Sequence, residues 1–254
     1  STAGLSCTLT TDWIPTPANQ GYSGIEVVGA ANGGGFVHEF TTGEPLLDEP
    51  FTGAVVDPAA WLISPAATQN DALTIGDPQG AWGSRFAKTV QTFVKDQDSE
   101  LTVEVTTPAS GTQYMMVGLL RPNKPVNYAN MAAAIYFRAG KLQIYEDAGY
   151  KGEYASYANN TTYEIRFEPT ANNRLKSWFR QKGDANWTLL YDSGHDIGSR
   201  FHLAFDVNQG TWIYDNARVT GLKWRPESEL AAAQGSQIRL RTTLSRPSGA
   251  AAPP

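Results

Sequence analysis

An antiparallel β-sandwich is the fold class that this 254-residue sequence predicts, and three observations predict it. Short stretches with an apolar residue at every second position recur along the chain, as half-buried strands require. Turn formers separate them, in a chain that holds 24 Gly and 15 Pro, a spacing of strands and turns that suits a sandwich or barrel. Helical periodicity is nearly absent. The one candidate, Pro226–Gln234, has Pro in its first turn and Gly235 after its end, enough for one or two turns.

In chain order, Gly24–Val28 and Gly35–Phe40 read as a short hairpin about the Gly33–Gly35 turn. Leu101–Val105 alternates apolar and polar residues. Tyr114–Leu120 and Ala132–Phe137 are more continuously apolar, the mark of central strands, and Ala139–Gly140 is a turn. The aromatic stretch Glu146–Asn160 reads as loop, ending in the turn signal Ala158–Asn160. Tyr163–Glu168 collects Tyr163, Ile165 and Phe167 on one face, and Lys182–Asp184 turns the chain again. Arg200–Asp206 places Phe201, Leu203 and Phe205 together, which leaves His202 on the polar face and exposed. Gly210–Val219 is a closing strand with the pair Asp215–Asn216 in its middle. Finally, Gln237–Leu244 alternates strictly, with Ile238 and Leu240 on one side and Gln237, Arg239 and Arg241 on the other. Three segments follow: an N-terminal extension over 1–46, a sandwich over 47–224, and a C-terminal helix, strand and Pro/Ala tail over 225–254.

Composition narrows the function. The net charge is −5 and the pI ≈ 5.2, with Lys and Arg scattered. Nucleic acid is therefore excluded as the main partner, because phosphate binding needs a basic face. No run approaches the ~18 apolar residues of a membrane span. Cys7 is the single cysteine, so no internal disulfide forms. The start at Ser1, without Met, indicates that a leader or an upstream domain has been removed.

Several phrases stand in a familiar order: "DEPFTGAVVDPAAW" (48–61), "SELTVEVTTP", "AAAIYFRAGKLQIYEDAG", "TTYEIRFEP", "WTLLYDSG" and "TWIYDNARV". Together, over Asp48 to Leu222, they resemble the laminin-G-like, concanavalin A-like lectin/glucanase jelly roll found in bacterial and phage surface proteins. The resemblance implies a jelly-roll topology and an extracellular, cell-surface or virion location. It also implies that Asp215–Asn216 belongs to the framework, its polar atoms satisfied by nearby backbone.

Enzymes of that fold set the catalytic expectations. Family-16 glycoside hydrolases carry alternating carboxylates on one strand. The nearest phrase here, Asp96, Asp98 and Glu100, has polar residues between them and reads as a solvated turn, with calcium as the one cofactor it could hold. "IYFRAGKLQIY" resembles a phrase of alginate lyases, but their "R-x-E-L-R" and "Q-I-H" phrases are missing. The histidines are scattered and no nucleophile elbow occurs, so no catalytic residue is assigned. Turn-like segments instead offer Trp82, Tyr128, Tyr150, Tyr154, Tyr157 and Trp187 beside Asn, Asp and Lys. Such flat apolar rings with polar neighbours suit a sugar. The expected function is non-enzymatic recognition or adhesion, with a glycan or cell-surface polymer as partner and hydrolase or lyase activity as the third choice. Its rival is a structural subunit of a fibre, spike or shell, held as a homo-oligomer through Ile238, Arg239, Leu240 and Arg241 of the last strand.

Overall fold

The computed structural model describes residues 5–10, 14–15, 35–41, 45–76, 80–94, 100–110, 113–170, 174–194, 196, 198, 200–222, 225–226 and 237–246. They form strands almost throughout, and the chain divides into two compact units. One is continuous, Leu46–Gly221; the other joins Ser1–Pro45 to Leu222–Pro254.

In the terminal unit, β1 (Leu5–Thr10), β2 (Ile14–Pro15) and β3 (Gly35–Thr41) come from the front of the chain, with β20 (Arg225–Pro226) and β21 (Gln237–Arg246) from its end. The sheet order is β1-β21-β3-β20, and β2 also pairs with β21. The alternating last strand therefore pairs with N-terminal strands of its own chain. From Arg241 to Ser245 it is hydrogen-bonded to β1 on one side and β3 on the other, leaving it no edge to lend there. Gly24–Val28 and most of the expected helix, 227–234, lie outside the described residues.

The continuous unit is a two-sheet antiparallel sandwich of jelly-roll type. Its first sheet runs β17 (Thr188–Asp192), β16 (Arg174–Gln181), β15 (Thr162–Thr170), β10 (Leu101–Thr106), β19 (Trp212–Leu222), β7 (Leu73–Ile75), β6 (Ala67–Gln69), with β4 (Pro45–Glu49) also on β19. The second runs β14 (Gly149–Ser156), β13 (Lys141–Glu146), β12 (Met131–Arg138), β11 (Tyr114–Leu120), β18 (Arg200–Gln209), β8 (Phe86–Thr89), β5 (Trp61–Ile63), with β9 (Phe93–Val94) also on β18.

Alternation explains the first sheet. In β10, Leu101, Val103 and Val105 face inward, and in β15 Tyr163, Ile165 and Phe167 do the same. Opposite them stand Phe137, Phe201 and Phe205 of the second sheet. Aromatic stacking ties the layers: Phe205 lies 4.3 Å from Tyr214 at 13°, and 5.5 Å from Trp61. The outward face of the first sheet carries charges that pair across strands. Arg180 binds Glu164 through Nε at 2.6 Å and Nη2 at 3.0 Å, and Lys182 reaches Glu104 at 2.8 Å.

Two expectations are corrected here. The stretch after Glu146 is a strand: β13 turns at Asp147 and Ala148, both at positive φ, and returns as β14 against β13. Its glycines and polar side chains imitate loop composition because β14 is an edge strand that needs no inward alternation. His202 is buried, only 7% exposed, with Nδ1 2.7 Å from the Thr89 carbonyl. Burial lowers its pKa, and the Lys88 charge adds to this. The cause is that β18 is covered on both faces, from Phe201 to Val207. The Asp215–Asn216 pair sits at an irregularity: Asn216 adopts φ 47, and Asp215 Oδ1 accepts the Asn216 N–H at 2.8 Å. No ligand contact is needed to account for it.

Candidate functional site

The cover over β18 is the clearest feature of the molecule's surface. Residues directly opposite in antiparallel strands share a face. Register thus places Met116, Tyr136, Gln143 and Glu153 in one row on the outer side of the second sheet, with Phe86 and Asp206 continuing it. A neighbouring row holds Ala134, Tyr145 and Tyr150, and the row on the other side holds Tyr114, Arg138 and Lys141.

Rings connect these rows. Tyr150 is 5.7 Å from Tyr145, Tyr145 is 5.6 Å from Tyr136, and Tyr136 is 6.2 Å from Tyr114. Trp82 stands edge-on over Tyr136 at 5.5 Å and reaches Tyr128 at 5.8 Å. The result is one aromatic strip over four strands and two loops. Burial grades along it: Tyr136 is 8% exposed, while Tyr150 at the sheet edge is 55% exposed. Burial also pushes the Tyr136 phenol up to about 12, with the Arg138 charge pulling the other way.

Backbone contacts hold the loop rings in place. The Gly83 N–H donates to Asp206 Oδ1 at 2.8 Å. Gly80 N–H donates to the Asn208 carbonyl at 3.1 Å, and Asn208 Nδ2 donates back to the Gly80 carbonyl at 2.8 Å. Gly83 has φ +80, and a Cβ there would run into the Val126 carbonyl oxygen, so glycine is required where the two loops meet. Asn127 caps the short turn Tyr128–Asn130 by accepting the Ala129 N–H at 3.0 Å.

Polar groups along the strip complete the site. Gln143 is 7% exposed; its Nε2 lies 3.5 Å from Glu153 Oε2, and its Oε1 has no hydrogen-bond partner among the described residues. An acceptor left unpaired at such depth costs free energy, and its burial keeps it out of a ligand's reach. Glu153 also pairs with Lys141 at 3.3 Å. Asp206 has no solvent exposure; burial pushes its carboxyl up to about 7 against the opposing Gly83 hydrogen bond, and its Oδ2 has no hydrogen-bond partner among the described residues.

Of the residues singled out in the sequence, Trp82, Tyr128 and Tyr150 lie in this strip. Tyr154 does not: it packs 5.5 Å from Tyr191, and its hydroxyl donates to the Lys151 carbonyl. Tyr157 is buried between Phe137 and Trp212, its phenol pushed up to about 12 by burial, so it offers no platform. Trp187 lies on the opposite sheet, with the guanidinium carbons of Arg166 and Arg180 at 4.6 and 4.4 Å from its ring. Asp96 and Asp98 fall outside the described residues; Glu100 meets Arg166 at 3.5 Å. No cluster of three or more His, Cys, Asp or Glu fit for a metal occurs among the described residues. Ile238, Arg239, Leu240 and Arg241 stand in β21 of the terminal sheet. Tyr114, Tyr136, Tyr145 and Gln143 went unnoticed in the sequence. Their signal is aromatic or amide character at the positions alternate to the core set within apolar strands, such as Tyr136 between Ile135 and Phe137.

No family model matches the chain, and no curated protein does. Among solved structures, the chain is similar to the laminarinase from Rhodothermus marinus, at 13% identity over 72% of this chain and 98% of that one, with a TM-score of 0.49. The Emp46p carbohydrate recognition domain, metal-free form, gives 7%, 76%, 94% and 0.49. The VIP36 exoplasmic/lumenal domain, Ca2+/Man2-bound, gives 10%, 82%, 89% and 0.47. The two-sheet jelly-roll sandwich rests on the strand order itself.

Proposed function

We propose that the chain is an extracellular recognition module that binds a glycan along the aromatic strip of the second sheet. The observation that carries this is the exposed edge of the strip, where Tyr150 packs 5.7 Å from Tyr145 and the exposed Glu153 carboxylate stands in the neighbouring row. A sugar ring presents C–H groups on its faces and hydroxyls at its rim, so it needs flat rings with hydrogen-bonding groups beside them. The carboxylates on this face among the described residues are not an open acid–base pair: Glu153 is engaged by Lys141, and Asp206 is sealed beneath the Trp82 loop. Binding without turnover is therefore the reading favoured over hydrolysis.

Calorimetry against glycans selected on an array tests it. Tyr145→Ala and Tyr150→Ala are each expected to weaken binding by about tenfold, the loss of one stacking contact. Tyr154→Ala, a ring off the strip, leaves affinity unchanged. Equal losses in all three variants, or no binding to any glycan, would sink the proposal.

A further inference from the structure

The charges around the strip say more than its rings do. The protein as a whole is acidic, at −5, yet this face presents three cations, Arg138, Lys124 and Lys88, that no carboxylate answers among the described residues. Arg138 is exposed, stands in the row of Tyr114 and Lys141, and makes no ion pair among the described residues. Its guanidinium is close enough to Tyr136 to act on that phenol. Lys124 is exposed on the loop that carries Tyr128, and Lys88 lies on the same face of β8; neither has an ion-pair partner among the described residues. The carboxylates nearby are already engaged or enclosed. Glu153 belongs to Lys141, Asp147 accepts from Arg121 Nη2 at 2.6 Å, and Asp206 is buried beneath the Trp82 loop. On the outer face of the first sheet Arg180, Lys182 and Arg166 have glutamate partners, while Arg174, Lys176 and Arg218 make no ion pair among the described residues.

We infer that the ligand of the strip is an acidic glycan, a sugar chain whose carboxylate or sulfate group is bound by Arg138 while Tyr145 and Tyr150 carry rings further along the same chain. The inference rests on the glycan reading of the strip. An exposed guanidinium offers a planar fork of donors that fits both anions. Arg138 stands beside Tyr114 at one side of the strip, four residues along β12 from Ala134, the position that Tyr145 faces, so a sugar chain lying along the strip would meet the guanidinium and the two rings with different residues.

The test compares three probes of equal length by calorimetry: a hexagalacturonide, a sulfated galactan hexamer and a neutral galactan hexamer, each at 20 and 300 mM NaCl. Binding of either acidic hexamer over the neutral one, weakened by salt and lowered about tenfold by Arg138→Gln, is the expected result, and the preferred hexamer tells carboxylate from sulfate. Arg138 is exposed, so the Gln variant keeps the fold, which an unchanged near-UV spectrum checks. Tyr145→Ala must lower affinity for the same probe. Equal binding of the neutral hexamer, lost in Tyr145→Ala but not in Arg138→Gln, overturns the acidic ligand and leaves the glycan reading standing. No binding of any hexamer overturns both.

Discussion

Replacing Asp206 by Asn is expected to raise stability at pH 8 by about 1–3 kcal/mol and to remove a pH-dependent loss between about pH 4 and 7. The Asp206 carboxyl is fully buried and held at about 7 instead of 3.8, with burial as the larger cause. Below 3.8 both folded and unfolded chains hold the proton, and stability is unaffected by it. Between 3.8 and about 7 only the folded chain keeps it, so stability falls as pH rises. Above 7 the loss is complete. The interval corresponds to about 4 kcal/mol. Asn keeps an oxygen for the Gly83 N–H but buries an amide group where Oδ2 has no hydrogen-bond partner, a cost of about 1–3 kcal/mol. His202 works in the other direction. Its pKa is lowered in the fold, so its contribution is present above 6.5 and is lost as pH falls below that. Urea midpoints of variant and wild type, measured at pH 4, 5, 6, 7 and 8, separate the two effects, because only Asp206 enters the difference curve. A difference that stays constant across this range would show that Asp206 ionises freely in the fold.

Trp212→Ala is expected to cost about 3–5 kcal/mol, a large part of the 5–15 kcal/mol by which a domain is ordinarily stable. Trp212 has no exposed surface. It meets Phe137 edge-on at 5.3 Å and Tyr157 at 6.4 Å, and its Nε1 donates to the Gln209 carbonyl at 3.0 Å. Truncation removes the ring from between the sheets and leaves a cavity whose walls are themselves aromatic and slow to collapse. The adjacent Ile213 is 38% exposed, and Ile213→Ala is expected to cost about 1 kcal/mol or less. Guanidinium unfolding of both variants checks the contrast. Equal costs would mean that Trp212 is not packed as described.

The two variants also show where sequence pattern succeeds and where it stops. Trp212 and Tyr214 alternate with exposed or half-exposed neighbours, but Ile213 between them is apolar, so the sequence marks a strand there without marking which face is buried. The alternation of β10 and β15 was legible, as was the turn at Ala139–Gly140. Asp206 was not. It looks like the polar member of an alternating strand, and only the distant loop at Gly83 turns that polar face into an interior one. Tyr136 and Tyr145 failed to stand out because an aromatic residue in an apolar strand reads as core, whichever face it takes. Tyr157 misled in the opposite sense: the turn signal Ala158–Asn160 after it implies an exposed loop, while its ring packs inward against Phe137 and Trp212. Local pattern reports which residues share a face, but whether a second layer covers that face depends on contacts more than a hundred residues apart.

The pairing of β21 with β1 and β3 bears on the order in which the chain folds. Phe36 faces Leu244 across roughly 200 residues, and closing a loop of that size in an unfolded chain is entropically expensive. The sandwich shortens it. Once β4 is zipped onto β19, the chain between β3 and β21 is bypassed except for the few residues on either side, and the effective loop falls to roughly 20. That tenfold contraction is worth about 2 kcal/mol of closure entropy. A terminal sheet that forms after the sandwich therefore closes a short effective loop in place of a long one.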